Sequence, residues 1–305
     1  MKQSFVKANF WLLILSAIIM FISHWFRSVR WQYLLKPIRK IPVTNLFSAL
    51  LIGYMGNSLL PAHLGEFFRA YVIGHKQKIP VSSILATIVI ERIIDLFTLL
   101  LIMAFALIVY PFPDWVTKSG YIIFIVTICM FLFLIFLKKY TYRTVELLNR
   151  FLKILPQIIS HKIITIINAF VDGVRKLKHK KDYFIITIWS ILIWFCYWFV
   201  FHLNFYTFNL IQPYQLTSTS SLVLLVITTI SVVVPSSPGY IGTYHFLCLF
   251  SLGLFGVPRA AGLTYAITVH GLHFVPVTII GLILAWIEGL SLIKLSYKRN
   301  LNNFD

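Results

Sequence analysis

The fold is decided by the stretch Leu60-Pro-Ala-His-Leu-Gly-Glu-Phe-Phe-Arg69, together with Glu91-Arg-Ile-Ile-Asp95 further along the chain. Five charged residues lie inside or beside sequence that is otherwise apolar enough to span a membrane: Glu66, Arg69, Glu91, Arg92 and Asp95. An ionised side chain at the centre of a bilayer costs about 2.5–3.5 kcal/mol on insertion scales. Such a cluster is kept where the charges pair, line a wet cavity or bind a charged substrate, so we expect the functional site here.

The composition around this stretch is that of an integral membrane protein. Of the 305 residues, 59% are hydrophobic and 12% are charged, and the mean hydropathy is +0.86. A soluble domain has roughly 25% charged residues. The length fits one transmembrane domain covering 1–305. The net charge of +18 lies in loops between apolar runs, a positive-inside pattern that does not suggest binding to nucleic acid.

The alternation of apolar segments and basic loops predicts an all-α polytopic topology. We expect spanning segments at about 8–26, 81–110, 119–137, 183–205 and 260–292, and two broken apolar segments at 43–74 and 217–254. The segment 138–182 holds eleven of the 27 Lys and Arg residues and should be cytoplasmic. Arg27 and Arg30 are assigned to a cytoplasmic loop at 27–42. Counting from these loops places the amino terminus outside the cell and the carboxyl terminus in the cytoplasm. The membrane is expected to be the plasma membrane of a prokaryote.

The same count predicts that both broken segments are re-entrant helical hairpins. The first would enter and leave from the cytoplasm, and the second from outside. Each carries Pro-x-x-x-Gly at its break, Pro61 to Gly65 in the first and Pro235 to Gly239 in the second. Non-helical backbone at this depth is tolerated only where protein or water satisfies its hydrogen bonds.

The order of the segments also indicates an inverted repeat. One repeat covers about 8–110 and the other about 183–293, with an added span and cytoplasmic elbow at 119–182 between them. Paired interrupted segments in two halves indicate a substrate site near the bilayer midplane, where the two tips meet. Within 138–182, apolar residues recur at helical spacing among Lys and Arg, which predicts amphipathic helices on the anionic lipids of the inner leaflet.

The charged residues of the first half are predicted to form a polar groove. Glu66 and Arg69 share a helix face, as do Glu91 and Asp95, whereas Arg92 points about 100° away from Glu91. Arginine suits phosphate because its planar guanidinium donates two parallel hydrogen bonds. We therefore expect the two arginines to contact an anionic headgroup while the carboxylates hold them in place. The alternative is a self-satisfied network that fastens the hairpin to the following helix, and both descriptions can hold together.

Further candidate substrate contacts flank the two breaks. They are Asn57 and His63 at the first break, Ser237, Gly239, Gly242, Tyr244 and His245 at the second, and His270 on the last long helix. Helix amino termini at such breaks offer free N–H groups to an anion. The hydroxyl side chains could equally cap the broken helices. His270 and His273 share a helix face, but spacing fixes no third ligand, so neither a metal site nor a cofactor is predicted.

These residues resemble a known family. Gly56-Asn-Ser-Leu-Leu-Pro61 through Gly65-Glu-Phe-Phe-Arg69, Glu91-Arg-Ile-Ile-Asp95 and Pro235-x-x-Pro-Gly-x-x-Gly242 are similar in order and type to the lysylphosphatidylglycerol synthase transmembrane-region family. That family includes the flippase half of bacterial multiple-peptide-resistance proteins and stand-alone relatives. The resemblance covers essentially the whole chain and implies a lipid-translocating fold with two re-entrant hairpins.

The resemblance also implies a range of substrates and marks three departures. Related members are associated with aminoacylated phospholipids, hopanoids or polyprenyl-phosphate sugars. The family commonly has Glu where this chain has His245, a Gly-Gly pair at Gly239-Tyr240, and an Arg near His270. Headgroup contacts in the second half could therefore differ. No soluble acyltransferase-like domain follows, so aminoacyl transfer is not implied.

Three functions are compatible with the sequence. The first is a lipid translocator, not an enzyme, in which Arg69 and Arg92 bind a phosphate-bearing headgroup and Glu66, Glu91 or Asp95 carries protons. The second is a membrane-embedded lipid-modifying enzyme that uses His63 and Glu66 as acid and base. The third is a non-transporting scaffold for envelope lipid synthesis. Assembly into a homo-oligomer stays open.

Overall fold

The computed structural model describes residues 8–60, 64–139, 180–233 and 237–289, and every regular element within these ranges is helical. The helices are α1 (Phe10–Leu35), α2 (Val43–Leu59), α3 (Gly65–Gln77), α4 (Val81–Val109), α5 (Asp114–Lys139), α6 (Lys180–Thr207), α7 (Ile211–Tyr214), α8 (Ser218–Val233), α9 (Thr243–Gly253) and α10 (Arg259–Ile287), with a 3₁₀ turn at Pro238–Tyr240 before α9. The prediction of an all-α fold is confirmed.

Five of these helices are long and apolar enough to cross a bilayer: α1, α4, α5, α6 and α10. A spanning helix needs about 20 apolar residues. The helices of the two broken segments are shorter, with 17 and 13 residues in α2 and α3 and 16 and 11 in α8 and α9. The chain is therefore a multi-pass membrane protein. The predicted elbow falls largely on 140–179, outside the described residues.

One end of the molecule gathers several helix termini through polar contacts. Lys36, just after α1, lies 3.0 Å from Asp182 at the start of α6. Lys76 near the end of α3 lies 2.7 Å from Glu288, which follows α10. Arg39 donates to the carbonyl oxygen of Gln77. The start of α2 and the end of α3 therefore lie at this end, which we call the basic end.

The opposite end gathers the remaining termini. The amide of Asn9, before α1, donates to the carbonyl oxygen of Thr207 at the end of α6. One apolar cluster joins Leu216, just before α8, to Leu252 and Val257, which lie at and beyond the end of α9. The hairpin α2–α3 thus opens at the basic end and the hairpin α8–α9 at the opposite end. Re-entry into a bilayer and an inverted repeat stay predictions.

Helix α2 lies at the centre of the molecule, packed against α1, α3, α10 and the 3₁₀ turn. Glycines permit this close packing. A Cβ atom on Gly65 would lie 1.8 Å from the carbonyl oxygen of Gly53, and one on Gly281 would lie 2.5 Å from Cβ of Met55. Small residues at helix contacts let backbones approach closely within membranes. The glycines of the first broken segment therefore fix the hairpin.

Helix α1 ends nine residues later than predicted. It continues past residue 26 to Leu35, because neither glycine nor proline interrupts it before Pro37 and Trp31, Leu34 and Leu35 continue an apolar face. Arg27 is 6% exposed and Arg30 is fully buried. The assignment of these two arginines to a cytoplasmic loop is therefore wrong, since both point into the protein.

Candidate functional site

A buried network of four arginines and three carboxylates joins α1, α3 and α4. Glu91 on α4 is its centre. One carboxylate oxygen, Oε1, lies 3.1 Å from Arg27, 3.4 Å from Arg30 and 3.3 Å from Arg92, and the other, Oε2, lies 2.8 Å from Arg69. Glu91 is completely buried. A buried carboxylate is stable as an ion only when it is paired, and this one is paired on both oxygens.

Asp95 forms the second acidic position, one turn further along α4. Its oxygens lie 3.0 Å from Arg27 and 2.8 Å from Arg30. These are ion pairs whose angles fall outside hydrogen-bond geometry. Arg27 and Arg30 thus contact both carboxylates of α4, because residues three apart on α1 and four apart on α4 share a face.

Neighbouring side chains hold the arginines in position. The guanidinium of Arg69 lies over the Trp31 ring, 3.6 Å from its centroid. Arg27 donates through Nε to the hydroxyl oxygen of Tyr197 at 2.8 Å, and Arg30 donates through Nη1 to Ser190 at 3.0 Å. Three of the four guanidinium groups are therefore fixed from two sides.

The network is open at one edge, formed by Arg92 and Glu66. The side chain of Arg92 is 32% exposed and that of Glu66 is 18% exposed, and they lie 3.5 Å apart. The pair between Glu66 and Arg69 is longer, at 3.8 Å. Nη1 of Arg69 and Nε of Arg92 make no hydrogen bond within the part of the chain that the structure describes. Both nitrogens are buried, so the exposed part of the Arg92 side chain is what this edge presents to an anion.

Asn57 has a structural contact at the first break. Its Oδ1 accepts a hydrogen bond of 2.8 Å from the amide of Gly65, the first residue of α3. A side-chain oxygen in this position satisfies one of the free N–H groups of a helix start. Asn57 thereby joins the two helices of the hairpin. His63, the other predicted residue here, lies outside the described residues.

The second break approaches the network through its 3₁₀ turn. This turn packs against α2. Tyr240 within it interacts electrostatically with Arg92 and Glu66, the two residues of the open edge. Gly239 and Tyr240 have φ angles of +63° and +60°. Left-handed backbone is unusual for a residue as large as tyrosine and costs of order 1–3 kcal/mol, so the surrounding contacts hold the turn in this form.

The last long helix fixes this turn from the other side. His270 on α10 lies with Nε2 2.9 Å from the carbonyl oxygen of Gly239, so Nε2 carries a proton and donates. The ring of Phe274 fills the space beside Gly239, where a Cβ would lie 2.4 Å from it. Gly239 and His270 are therefore in direct contact, as parts of one site require.

The other candidates of the second break contact one another. Ser237 donates to the carbonyl oxygen of Ile241 within the break, and the amide of Gly242 donates to Nδ1 of His245 at 3.2 Å. The Tyr244 ring stacks on His270, with centroids 4.9 Å apart. The hydroxyl of Ser237 thus bonds to the local backbone as a donor and does not cap a helix amino terminus.

The structure adds Arg27 and Arg30 to the charged residues that the sequence singled out. Arg27 and Arg30 lie three residues apart in a helix without an interruption, and Glu91 and Asp95 lie four residues apart in another helix. These matching spacings of opposite charges are the signal that could have identified the two arginines. His270 and His273 do not converge, since His273 contacts His24 on α1. Among the described residues, no three His, Cys, Asp or Glu side chains come close enough to hold a metal ion.

An apolar groove runs along α1 beside the network. Its volume is about 660 Å³, and its lining includes Phe10, Ile14, Phe21, Trp25, Phe47 and Leu272. The lining spans sixteen residues of α1, so the groove extends roughly 24 Å along the helix at 1.5 Å per residue. The groove and the charged cluster therefore involve the same helix but different faces of it.

The fold and the site together define a polytopic helical membrane protein with a charged, partly open cluster among its helices. The chain belongs to the lysylphosphatidylglycerol synthase transmembrane-region family, whose model matches residues 1–281. This is a family of membrane proteins linked to lipid handling.

Two curated proteins illustrate the relationship. A UPF0104 membrane protein of Methanocaldococcus jannaschii is 24% identical over 277 residues, covering 84% of this chain and 78% of the relative. The glycosyltransferase AglD of Haloferax volcanii is 30% identical over 89 residues, which cover 28% of this chain and 14% of that protein. No solved structure matches the chain significantly.

Proposed function

We propose that this protein is a flippase-like translocator that moves a lipid with an anionic, phosphate-bearing headgroup across the membrane. The substrate would be a phospholipid or a polyprenyl-phosphate derivative. The observation that carries the proposal is the charge of the network: four guanidinium groups against three carboxylates leave one excess positive charge. Its open edge presents Arg92, whose side chain is partly exposed, beside the second break.

The excess charge argues for an anionic ligand on energetic grounds. A charged group at bilayer depth is costly, and such residues commonly mark substrate pathways. A phosphate at Arg92 would neutralise the network and accept hydrogen bonds from the exposed part of its guanidinium group. A hydrogen bond to a charged group contributes about 1.5–3 kcal/mol. The Glu66 carboxylate, at 3.5 Å, would orient Arg92 and release it as the phosphate binds.

The apolar groove supports a lipid as the carrier of that anion. A translocator must shelter the headgroup while the chains stay in an apolar environment. The groove along α1 offers about 660 Å³ of apolar space beside the helix that carries Arg27 and Arg30. Acyl chains in this groove would lie against the helix that carries part of the network, on another of its faces.

The orientation is part of the proposal. The basic end carries Lys36, Arg39, Lys76 and Lys181, and the positive-inside rule places such an end in the cytoplasm. With five spanning helices and two hairpins that return to their own side, the amino terminus would be outside and the carboxyl terminus inside. The membrane would be the plasma membrane of a prokaryote.

The test is a translocation assay with a matched pair of variants. Full-length protein is reconstituted in vesicles with a fluorescent phosphatidylglycerol tracer, and transfer to the outer leaflet is followed by quenching. In parallel, a polyprenyl-phosphate tracer is used. We expect Arg92→Gln to reduce the rate about tenfold or more, since the lost bond is worth at least about 1.4 kcal/mol. Lys76→Gln, which removes a charge of the basic end, should retain the rate.

Two results would overturn the proposal. Equal rates for the wild type, Arg92→Gln and protein-free vesicles with every tracer would remove the translocator function. A tracer of changed mass after incubation would indicate a lipid-modifying enzyme, whose acid and base would be sought at Glu66 and His63.

A further inference from the structure

A line of histidines connects the second break to α1, beside the arginine–carboxylate network. His270 and His273 lie three residues apart on α10. His270 donates to the carbonyl oxygen of Gly239, and Nε2 of His273 lies 3.2 Å from Nε2 of His24. Only 1% of His24 is exposed, and its Nδ1 has no hydrogen-bond partner within the described residues.

The contact between His24 and His273 restricts where protons can lie. Two ring nitrogens at this distance form a hydrogen bond only if one carries a proton and the other offers a lone pair. When both rings are neutral, the accepting ring carries its proton on Nδ1 and the donating ring has an unprotonated Nδ1. The pair can therefore take up one further proton at that Nδ1. The product is a cationic pair joined by a charge-assisted N–H···N bond.

We propose that His24 and His273 form a proton-binding site that couples lipid movement to a proton gradient. This inference rests on the proposed function. In the step, water at one membrane face supplies a proton, an N–H bond forms on the pair, and the pair gains one positive charge. Release at the other face breaks that N–H bond and restores the neutral pair.

A metal site at these histidines and a proton site at the carboxylates are both less well supported than a proton site at the histidine pair. A structural metal site needs about four ligands, and no third ligand-forming side chain lies close enough among the described residues. Two of the three carboxylates predicted as proton carriers are already committed, since Glu91 is paired with four arginines and Asp95 with three. The third, Glu66, has longer pairs of 3.5 and 3.8 Å with Arg92 and Arg69. The histidine pair, in contrast, has nitrogens that no ion pair occupies.

The surroundings explain how proton uptake could move the protein. Arg27 lies one turn from His24 on α1, Tyr54 of α2 lies 4.9 Å away between ring centroids, and His270 lies one turn from His273. Among these groups Arg27 is positive, so a proton on the pair is repelled by it. That repulsion favours movement of the protonated pair, still joined by its N–H···N bond, away from Arg27.

Helix α10 contains a proline three residues after His273, and we infer a hinge there. Pro276 lies inside the helix and cannot donate to the carbonyl oxygen of Leu272, so the helix bends there at a lower cost. His270, on the amino-terminal side of this hinge, is bonded to Gly239 in the second break. Movement of the pair would therefore shift the turn that lies beside Arg92.

The first experiment measures the proton site itself. Full-length protein labelled with ¹⁵N-histidine is placed in phosphatidylglycerol bilayers and followed by solid-state NMR between about pH 5 and pH 9, around the ordinary histidine pKa of about 6.5. We expect the signals of His24 and His273 to change together in one step, and His24→Gln to abolish the step for His273. Independent titration, or two rings that stay neutral throughout, would overturn the site.

The second experiment measures coupling. Tracer translocation is compared with and without a pH difference of about two units, which is about a hundredfold proton gradient. We expect the gradient to accelerate the wild type about tenfold, and His24→Gln and His273→Asn to lose this response. The control His75→Gln changes an exposed histidine at the end of α3 and should respond as the wild type does.

The outcomes separate the two proposals. A shared titration with gradient-independent translocation would overturn the coupling and leave the translocator. Absence of translocation with every tracer would overturn the translocator, and NMR would then decide on the proton site alone. If one histidine variant does not fold, the wild-type titration still gives the decisive result.

Discussion

Replacing Glu91 by Gln should strongly destabilise the protein, because one carboxylate compensates four arginines. The change preserves shape but leaves four positive groups against two carboxylates, so the excess rises from one charge to two. Breaking a buried ion pair by removing one partner costs about 3–5 kcal/mol. At about 2–4 °C per kcal/mol for a chain of a few hundred residues, the melting temperature should fall by roughly 6–20 °C.

The assay is thermal unfolding of purified protein in detergent micelles, with a matched control and a rescue. Glu288→Gln removes another ion-paired glutamate, but its partner Lys76 is 38% exposed. Exposed pairs contribute about 0–1 kcal/mol, so this control should shift the melting temperature by at most about 4 °C. The double variant Glu91→Gln with Arg30→Gln restores an excess of one charge and should recover more than half of the loss.

The result that would refute this reasoning is specific. If Glu91→Gln melts as close to the wild type as Glu288→Gln does, the network contributes little to stability. If the double variant is no more stable than Glu91→Gln alone, the loss does not arise from the uncompensated charge.

Three further substitutions, the first of them with a control, test the packing around the network by the same melting assay. Gly65→Ala places a Cβ 1.8 Å from a backbone oxygen of α2 and should lower the free energy of unfolding by at least about 1–3 kcal/mol. The control Gly271→Ala has open space around the new Cβ and should raise the free energy of unfolding by about 0.5–1 kcal/mol. Equal effects of the two changes would contradict the close packing of the hairpin. Asn57→Ala should cost about 0.5–2 kcal/mol through loss of the cap on α3, and an unchanged melting temperature would show that the cap is not needed. Arg69→Lys keeps the charge but loses the planar stack on Trp31, worth about 2 kcal/mol when desolvated, so a full retention of stability would exclude that contact.

The helices could be predicted because their signals are local. Long apolar runs give the five spanning helices, and prolines mark where helices begin: Pro42, Pro80 and Pro258 directly precede α2, α4 and α10. A fixed φ and a missing N–H make proline compatible with a helix start but not with its interior. Pro276 is the exception, because it lies within α10 where the hinge is inferred.

The composition of the site could be predicted only in part. Glu66, Arg69, Glu91, Arg92 and Asp95 were recognisable because each interrupts apolar sequence. Arg27 and Arg30 were assigned to a loop because the positive-inside rule counts basic residues and takes no account of whether they pair with a carboxylate. Their partners are 61 to 68 residues away, a pairing that only the packing of α1 against α4 creates.

The pairing of His24 with His273 shows the same limit more strongly. The two residues are 249 positions apart, and neither interrupts its helix. A buried imidazole that is hydrogen-bonded in the core has the same local sequence as one that shares a proton with a distant ring. The prediction that carboxylates carry protons followed from residue type alone. It stays a prediction, and the arginines around Glu91 and Asp95 make it less favourable for those two than for Glu66.

The unequal numbers of arginines and carboxylates distinguish a binding site from a network that only holds helices together. A cluster that serves only to hold α3 against α4 would be most stable with equal charges and no exposure, because any excess charge is paid for in desolvation. Here one arginine exceeds the carboxylates, and the most exposed member of the network is also an arginine. Arg92→Gln would make the network neutral, so it should retain or raise the melting temperature while it abolishes translocation. A fall in stability without any effect on lipid movement would instead show that Arg92 belongs to a network that only holds helices together.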